Sequence, residues 1–246
     1  ISFTSKNVLT LYCHLRYMLI HSHKHLTCEN CKSRKDSLFS HFNCEETACL
    51  NSAKSCNFYK KKQPIFLAGS LPRGVYCLSE GKVKVFSIGE QGKEQIVHIA
   101  KDGEIIGFRA MLSGDPYQVS AETLEDCNIC FIAKDEFLNM IDSNPTLRDN
   151  VMKELSKELN TRTKLLTNMA QKSVRERLAF SLVYLDKVYN EESINLSRED
   201  LANFIGTATE TLIRLLKDFK EEGLIEIHTR KLTLLNRPGL LRIAGD

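Results

Sequence analysis

Apolar positions change period twice along this chain. They first fall in short runs at 64–67, 75–78, 83–86, 95–99, 104–108, 118–123 and 128–132, punctuated by Gly69, Gly74, Gly81, Gly89, Gly92, Gly103, Gly107 and Gly114. Glycine supplies the positive-φ corners of tight hairpins, so this stretch predicts many short strands closed into a sandwich, barrel or jelly roll. Its length suits a small β-roll. From Pro145 the spacing turns helical: Val151, Leu155, Leu159, Leu166 and Met169 recur on one face, with Arg162 where the heptad would continue. A helix over 146–171 is about 39 Å long. Two readings stay open for it, a two-stranded seam or a helix lying on the β-unit, and length favours the seam. Amphipathic helices at 173–189, 198–205 and 208–222 follow, then two short strands at 224–227 and 231–235 across His228, Thr229 and Arg230. Gly206 breaks the second of these helices from the third, and Gly223 sits where a helix C-terminus needs a left-handed residue.

Charge follows the same divisions. Residues 1–62 carry 10 basic and 4 acidic side chains, 63–142 carry 7 and 12, and 143–246 carry 17 and 15. The chain therefore reads as a Cys-rich extension (1–60), a β-unit (61–144), a long helix (145–172) and a helical unit with a hairpin (173–246). The net charge of +3 by itself points to no nucleic acid. A 42% hydrophobic and 26% charged composition excludes global disorder. No apolar run reaches the ~20 residues of a membrane span. The longest, 8–20, carries His14 and Arg16 and lacks a small-residue cleavage site, so residues 1–27 receive no functional weight. Nine cysteines, an odd number with five between 28 and 56, suggest reduced intracellular thiols rather than a secreted disulfide framework.

The most informative segment runs from Ser197 to Lys217. Ser197 with Asp200, and Thr207 with Glu210, resemble two capping boxes. Leu201, Phe204, Ile205, Leu212, Leu215, Leu216 and Phe219 face a core. Thr209, Glu210, Ile213, Arg214 and Lys217 are left on an outward face. This is the pattern of a helix-turn-helix whose second helix enters the major groove. Arg230 and Lys231 lie in a hairpin wing placed to touch phosphates. The competing reading makes Glu210 a cap and Arg214 its i,i+4 partner. Residues 194–237 hold 7 basic and 7 acidic groups, so charge does not decide; the three-helix-plus-hairpin context does.

With these strings in view, the chain resembles a CRP/FNR family transcription regulator from about residue 60 to 240. The carriers are 64–69 (PIFLAG), 78–84 (LSEGKVK), 103–108 (GEIIGF), 175–179 (RERLA) and 209–216 (TETLIRLL). The resemblance implies an α+β chain: a cyclic-nucleotide-binding-like β-roll (jelly roll), a long dimerisation helix and a C-terminal winged helix-turn-helix. It implies a cytoplasmic bacterial homodimer on a pseudo-palindromic double-stranded DNA site, with RNA polymerase as partner. Ser197, Thr209, Glu210, Ile213, Arg214, Lys217, Arg230 and Lys231 are the expected DNA contacts. In family members the position of Glu210 accepts from cytosine and that of Arg214 donates to guanine. Thr209 stands where the CRP branch has an Arg, and Ile213 where the FNR branch has Ser, so half-sites with a TGA-type core are expected.

The expected effector pocket comprises Gly107, Phe108, Arg109 and Ser120. Cyclic-nucleotide members of the family use a Gly-Glu pair and a later Arg-Ser pair to hold ribose and phosphate. Here Phe108 replaces the Glu and Val119 the Arg, so cyclic AMP is not expected. The 106–114 string is closer to the oxygen-sensing FNR branch, which holds a [4Fe–4S] cluster through three N-terminal cysteines and one in the roll. Cys28, Cys31 and Cys130 match three of these; the third N-terminal place falls on Phe39, with Cys44 the nearest substitute. An iron–sulfur cluster or zinc thus remains an alternative cofactor, against no metal at all. No Ser/His/Asp order, phosphate loop or HExxH marks an enzyme. A free-standing nucleotide-gated module would lack residues 174–240.

Overall fold

The computed structural model describes residues 27–245; the apolar stretch 8–20 lies outside them. Two single-turn 3-10 helices (Cys28–Asn30, Lys32–Asp36) and helix α1 (Cys44–Ala53) form a cap. At its start, the Asn43 side chain accepts from Glu46 N–H (2.9 Å) while Glu46 accepts from Asn43 N–H (2.8 Å), so two otherwise orphaned donors are satisfied. α1 runs directly into strand β1 (Lys54–Tyr59). Strands β2 (Pro64–Phe66), β3 (Gly74–Glu80), β4 (Val83–Ile88), β5 (Glu94–Ala100), β6 (Ile105–Ile106), β7 (Ser120–Thr123) and β8 (Cys127–Ala133) complete an antiparallel roll. Its two sheets have the orders β1-β8-β3-β6 and β2-β7-β4-β5.

Strand alternation sorts the apolar side chains between two cores. Along β3, Tyr76 and Leu78 turn into the roll with Phe66, Val83, Val85, Ile106 and Ile129. Val75 and Cys77 turn the other way, under the cap, with Phe39, Phe42, Leu50 and Ile132. The same outer core takes in helix α3 (Lys134–Ser143) through Phe137 and Ile141, and the first turns of helix α4 (Pro145–Gln171) through Leu147 and Val151. β1 begins inside the stretch assigned to the extension, yet it pairs along its whole length with β8. Its residues, KSCNFY, carry no clean alternation of apolar and polar, which hides it in sequence. Helices α2 (Phe108–Ser113) and α3 interrupt what reads as an all-β unit.

The apolar side of α4 lies on the β-unit only over its first turns. Asn144 caps it by accepting from Leu147 N–H, and Pro145 occupies its first turn. Val151 is buried on the roll, whereas Met152, Leu159 and Leu166 project into solvent at 61%, 67% and 71% exposure. The first part of the helix is therefore packed on the β-unit, and the later part presents an unpartnered apolar face.

The C-terminal unit consists of α5 (Val174–Val188), α6 (Arg198–Ile205), α7 (Thr209–Glu221), β9 (Ile225–His228), β10 (Lys231–Leu234) and α8 (Arg237–Ala244). α5 opens on a capping box between Ser173 and Glu176. Leu178, Leu182, Leu201, Leu212, Phe219 and Leu240 form its core, and Phe86, Ile96 and Ile99 of the roll join the same cluster. Polar contacts fix the junction. The Lys84 ammonium lies 2.8 Å from Glu94, 3.5 Å from Glu122 and 3.1 Å from Asp200 of α6. Gln95 donates to the Phe204 carbonyl. Burial opposes the charge on Lys84, but Glu94 and Asp200 outweigh it and hold its pKa above the usual lysine value.

Candidate nucleic-acid interface and effector cavity

The helix-turn-helix is built from local signals. Ser197 caps α6 by accepting from Asp200 N–H at 2.9 Å, so its hydroxyl is already engaged. Gly206 adopts φ 75°, a conformation that residues with a Cβ rarely take, and a Cβ there would crowd Gln95 Oε1 and Met169 Sδ at 3.2 Å. The second capping box is not formed: the N-cap of α7 is Ala208, with no side-chain cap, and Thr207 is buried in the turn. Leu212, Leu216 and Phe219 are buried, which turns Glu210, Ile213, Arg214 and Lys217 outward on one face, with Thr209 at its edge. Glu210 and Arg214 do not pair: no carboxylate among the described residues reaches Arg214, while Lys217 lies 3.7 Å from Glu221. The wing turns at Thr229 and Arg230, with Thr229 at φ 52°, and Arg230 and Lys231 are exposed at its tip. Arg198 donates to the Arg230 carbonyl at 3.4 Å and ties the wing to the start of α6.

A cavity of about 820 Å³ opens between cap, roll and α4. Phe66 and Tyr117, stacked with centroids 4.0 Å apart, form one wall, with Gly107, Phe108 and Arg109 beside them. Glu158 and Arg162 of α4, and Tyr184 of α5, complete it. Several of its charged groups are paired with one another. Arg109 Nε lies 3.2 Å from Glu158, and Arg162 donates to the same carboxylate at 2.8 Å. His98 Nε2 lies 2.7 Å from Glu104, with Tyr184 OH 3.5 Å from Nδ1. Burial pushes the Tyr117 and Tyr184 hydroxyls up to about 12, so both stay neutral donors. Ser120 does not line this cavity: its Oγ accepts from Ala68 N–H at 3.0 Å and fastens two backbone segments. Arg73 is exposed and also lies off the cavity wall.

The cysteines are arranged differently from the expectation. Cys130 is bonded to Cys56, its direct neighbour across β1 and β8. Cys44 is exposed on α1. Cys28, Cys31, Cys77 and Cys130 surround a small cavity of about 30 Å³ beneath the cap, with Lys54 Nζ 3.1 Å from Cys28 Sγ. Burial pushes the Cys77 thiol up to about 12, and the neighbouring Cys31 and Cys28 add to the shift. Cys127 faces the roll interior, where burial raises its thiol to about 11.

Residues 56–144 match the cyclic nucleotide-binding domain family, and residues 176–243 match the Crp-like helix-turn-helix domain family. The chain belongs to the CRP/FNR family of transcription regulators. It is 29% identical over 193 residues to the fumarate and nitrate reduction regulatory protein of Vibrio cholerae, covering 76% of this chain and 77% of that one. The anaerobic regulatory protein of Haemophilus influenzae is 28% identical over the same length, with 75% of it covered. Among solved structures, FixK2 from Bradyrhizobium japonicum superposes with a TM-score of 0.71 at 19% identity, covering 77% of this chain and 96% of that one. The c-di-GMP responsive regulator CLP of Xanthomonas campestris gives 0.68 at 19%, covering 78% and 99%. These two show the fold.

Against the CRP/FNR pattern, the cavity keeps the glycine turn at Gly107 but not the anion-holding pair, and both guanidinium groups in its wall, Arg109 and Arg162, contact Glu158 of α4. The thiolate set of the FNR branch does not fit either. Cys130 is held in a disulfide, Phe39 is buried in the outer core at the third N-terminal place, and Cys44 is exposed and does not line the small cavity. Among the described residues, no three His, Cys, Asp or Glu side chains are grouped to hold a metal ion. Cys44 thus lies apart from the small cavity that Cys28, Cys31 and Cys130 line, Cys130 is held in a disulfide, and the expectation of reduced thiols gives way to one disulfide. Sequence reasoning overlooked β1, α2, α3 and α8, and with β1 the partner of Cys130. No helix among the described residues is long and apolar enough to cross a membrane.

Proposed function

We propose that this regulator binds a pseudo-palindromic DNA site as a homodimer and reads it with α7 and the wing. The observation that carries the reading is the outward row Glu210, Ile213, Arg214 and Lys217, in which the guanidinium has no internal partner among the described residues. A guanidinium free to fork onto guanine O6 and N7, with a carboxylate one turn earlier able to accept from cytosine N4, suits a TGA-type half-site. Ile213, 53% exposed, offers an apolar contact to a thymine methyl. Arg230 and Lys231 supply sequence-independent phosphate contacts. The exposed side of α4 at Met152, Leu159 and Leu166 supports dimerisation through this helix, and two-fold symmetry spaces the half-sites about 34–36 Å apart. Such a regulator acts in the cytoplasm, with RNA polymerase as its partner at the promoter.

The effector reading follows from the large cavity. Its aromatic wall, with Arg109 and Arg162 both on Glu158, suits a partly aromatic ligand rather than cyclic AMP. Light scattering combined with a low-salt DNA shift assay tests the functional reading. A particle of twice the chain mass that retards duplexes with inverted TGA repeats supports it; a monomer at micromolar concentration that shifts no DNA overturns it.

A further inference from the structure

Three cysteines lie in one row across three neighbouring strands. In the register of the first sheet Cys56 faces Cys130, and Cys130 in turn faces Cys77. Residues paired across adjacent strands share a face, and the strands are about 4.8 Å apart. Cys77 therefore stands beside Cys130 on the side opposite Cys56, behind the existing disulfide. Thiol–disulfide exchange requires an attacking sulfur that reaches one sulfur of the bond and displaces the other. A row of three registered cysteines places attacker, centre and leaving group in that order. The small cavity above the row also holds donors for a sulfur anion. The Ser79 hydroxyl, on a residue 92% buried, has no hydrogen-bond partner among the described residues, and the Lys54 ammonium is directed at Cys28.

We propose that Cys56, Cys77 and Cys130 form a redox-active thiol–disulfide site in which the bond moves from Cys56–Cys130 to Cys77–Cys130 and unfastens the cap from the roll. In the exchange, Cys77 attacks Cys130 Sγ while its proton passes through solvent to the departing Cys56 sulfur, because burial keeps Cys77 a thiol until it reacts. The Cys56–Cys130 bond breaks, and Cys56 leaves as the thiolate and takes up a proton, so no net oxidation occurs. Full reduction takes an external dithiol, which passes two electrons and two protons to the pair and closes to its own cyclic disulfide. The two bonds differ mechanically. β1 is an edge strand continuous with α1, so the Cys56 bond pins the cap, whereas the Cys77 bond lies wholly within the roll. The cap packs on Phe137, Leu147 and Val151, and Asn144, the cap residue of α4, donates to Glu46 at 2.7 Å. Releasing β1 therefore loosens the seat of the dimerisation helix. The proposal stands apart from the DNA-reading assignment and does not depend on it.

The test is disulfide mapping of the full chain by mass spectrometry, with free thiols alkylated under acid quench and digestion carried out without reductant. Wild type equilibrated with limiting dithiothreitol yields both the Cys56–Cys130 and the Cys77–Cys130 peptides. Cys56→Ser oxidised with oxidised dithiothreitol yields the Cys77–Cys130 peptide and loses two alkylatable thiols. In Cys77→Ser the exchange product is absent, and the cap-released form that trypsin cleaves within residues 27–54 appears only in step with direct reduction of the Cys56–Cys130 bond, whereas in wild type it exceeds the reduced fraction. Cys130 remaining alkylatable in oxidised Cys56→Ser, or bonding there to Cys28 or Cys31, overturns the proposal. So does wild type that contains no disulfide and carries stoichiometric zinc or iron held by Cys77 and Cys130 in elemental analysis and absorbance.

Discussion

Arg109 and Arg214 occupy comparable places in the two halves of the molecule. Each lies on a helix entered through a glycine at positive φ, Gly107 at 87° before α2 and Gly206 at 75° before α7. Their surroundings differ. The Arg109 guanidinium is partly desolvated and closed onto Glu158 of α4, and burial lowers its pKa despite that carboxylate. Arg214 points outward without a carboxylate opposite it among the described residues. A guanidinium whose charge is already countered by an internal carboxylate is a weaker ligand for a phosphate, whereas one with no carboxylate beside it keeps charge and donors for a base edge. Residue type suggests recognition in both places; the opposing element grants it in only one.

The largest effect that sharpens this contrast comes from beneath the recognition face. Phe219→Ala removes a fully buried ring and is expected to cost about 3–5 kcal/mol of folding stability in chemical denaturation, with DNA binding abolished alongside. An effect below about 1 kcal/mol would show that α7 is not anchored by this core. Next comes the later part of α4. Leu159→Glu with Leu166→Glu places two charges on the apolar face and is expected to convert the proposed dimer to a monomer by light scattering while leaving the monomer folded. An unchanged mass would move the seam elsewhere.

Lys84 extends the comparison as a third cation, paired like Arg109 but across the junction with α6. Its folded pKa lies above its unfolded one, so its stabilisation is complete below the ordinary lysine value and is lost as pH rises through the folded value. Thermal unfolding should therefore fall more steeply above about pH 10 in wild type than in Lys84→Met. Parallel curves would remove Lys84 from the junction's energetics. The smallest expected effect is none: calorimetric titration with cyclic AMP should show no saturable heat. A micromolar dissociation constant would erase the distinction between the two arginines.

Legibility in the sequence follows the same division. The recognition unit is one contiguous segment, and its capping serine, its turn glycine and the 3.6-residue spacing of Leu212, Leu216 and Phe219 declare which face is buried. The α6 limits and the outward row are readable for that reason. The cavity and the cysteine row are assembled from cap, β1, β3, β8 and α4, brought together only by strand register. Nothing in the order of Cys56, Cys77 and Cys130 announces that they stand side by side. Position along the chain suggests Ser120 as a ligand group, but its hydroxyl holds the Ala68 backbone. The α4 pattern admits two readings because one periodic stripe first covers the roll and then leaves it.

The central claim is that Arg214 reads DNA and that the wing only holds it. Binding of Arg214→Ala to a library-selected site and its single-base variants, by fluorescence anisotropy across a salt series with Lys231→Ala alongside, tests it most directly. Arg214→Ala should weaken binding to the selected site by about 1–3 kcal/mol and flatten discrimination at one base pair of each half-site. Lys231→Ala should weaken all sequences alike and lower the salt slope by about one per phosphate that the lysine no longer neutralises. An Arg214→Ala protein with unchanged affinity and unchanged base preference would contradict the assignment of α7 as the recognition helix.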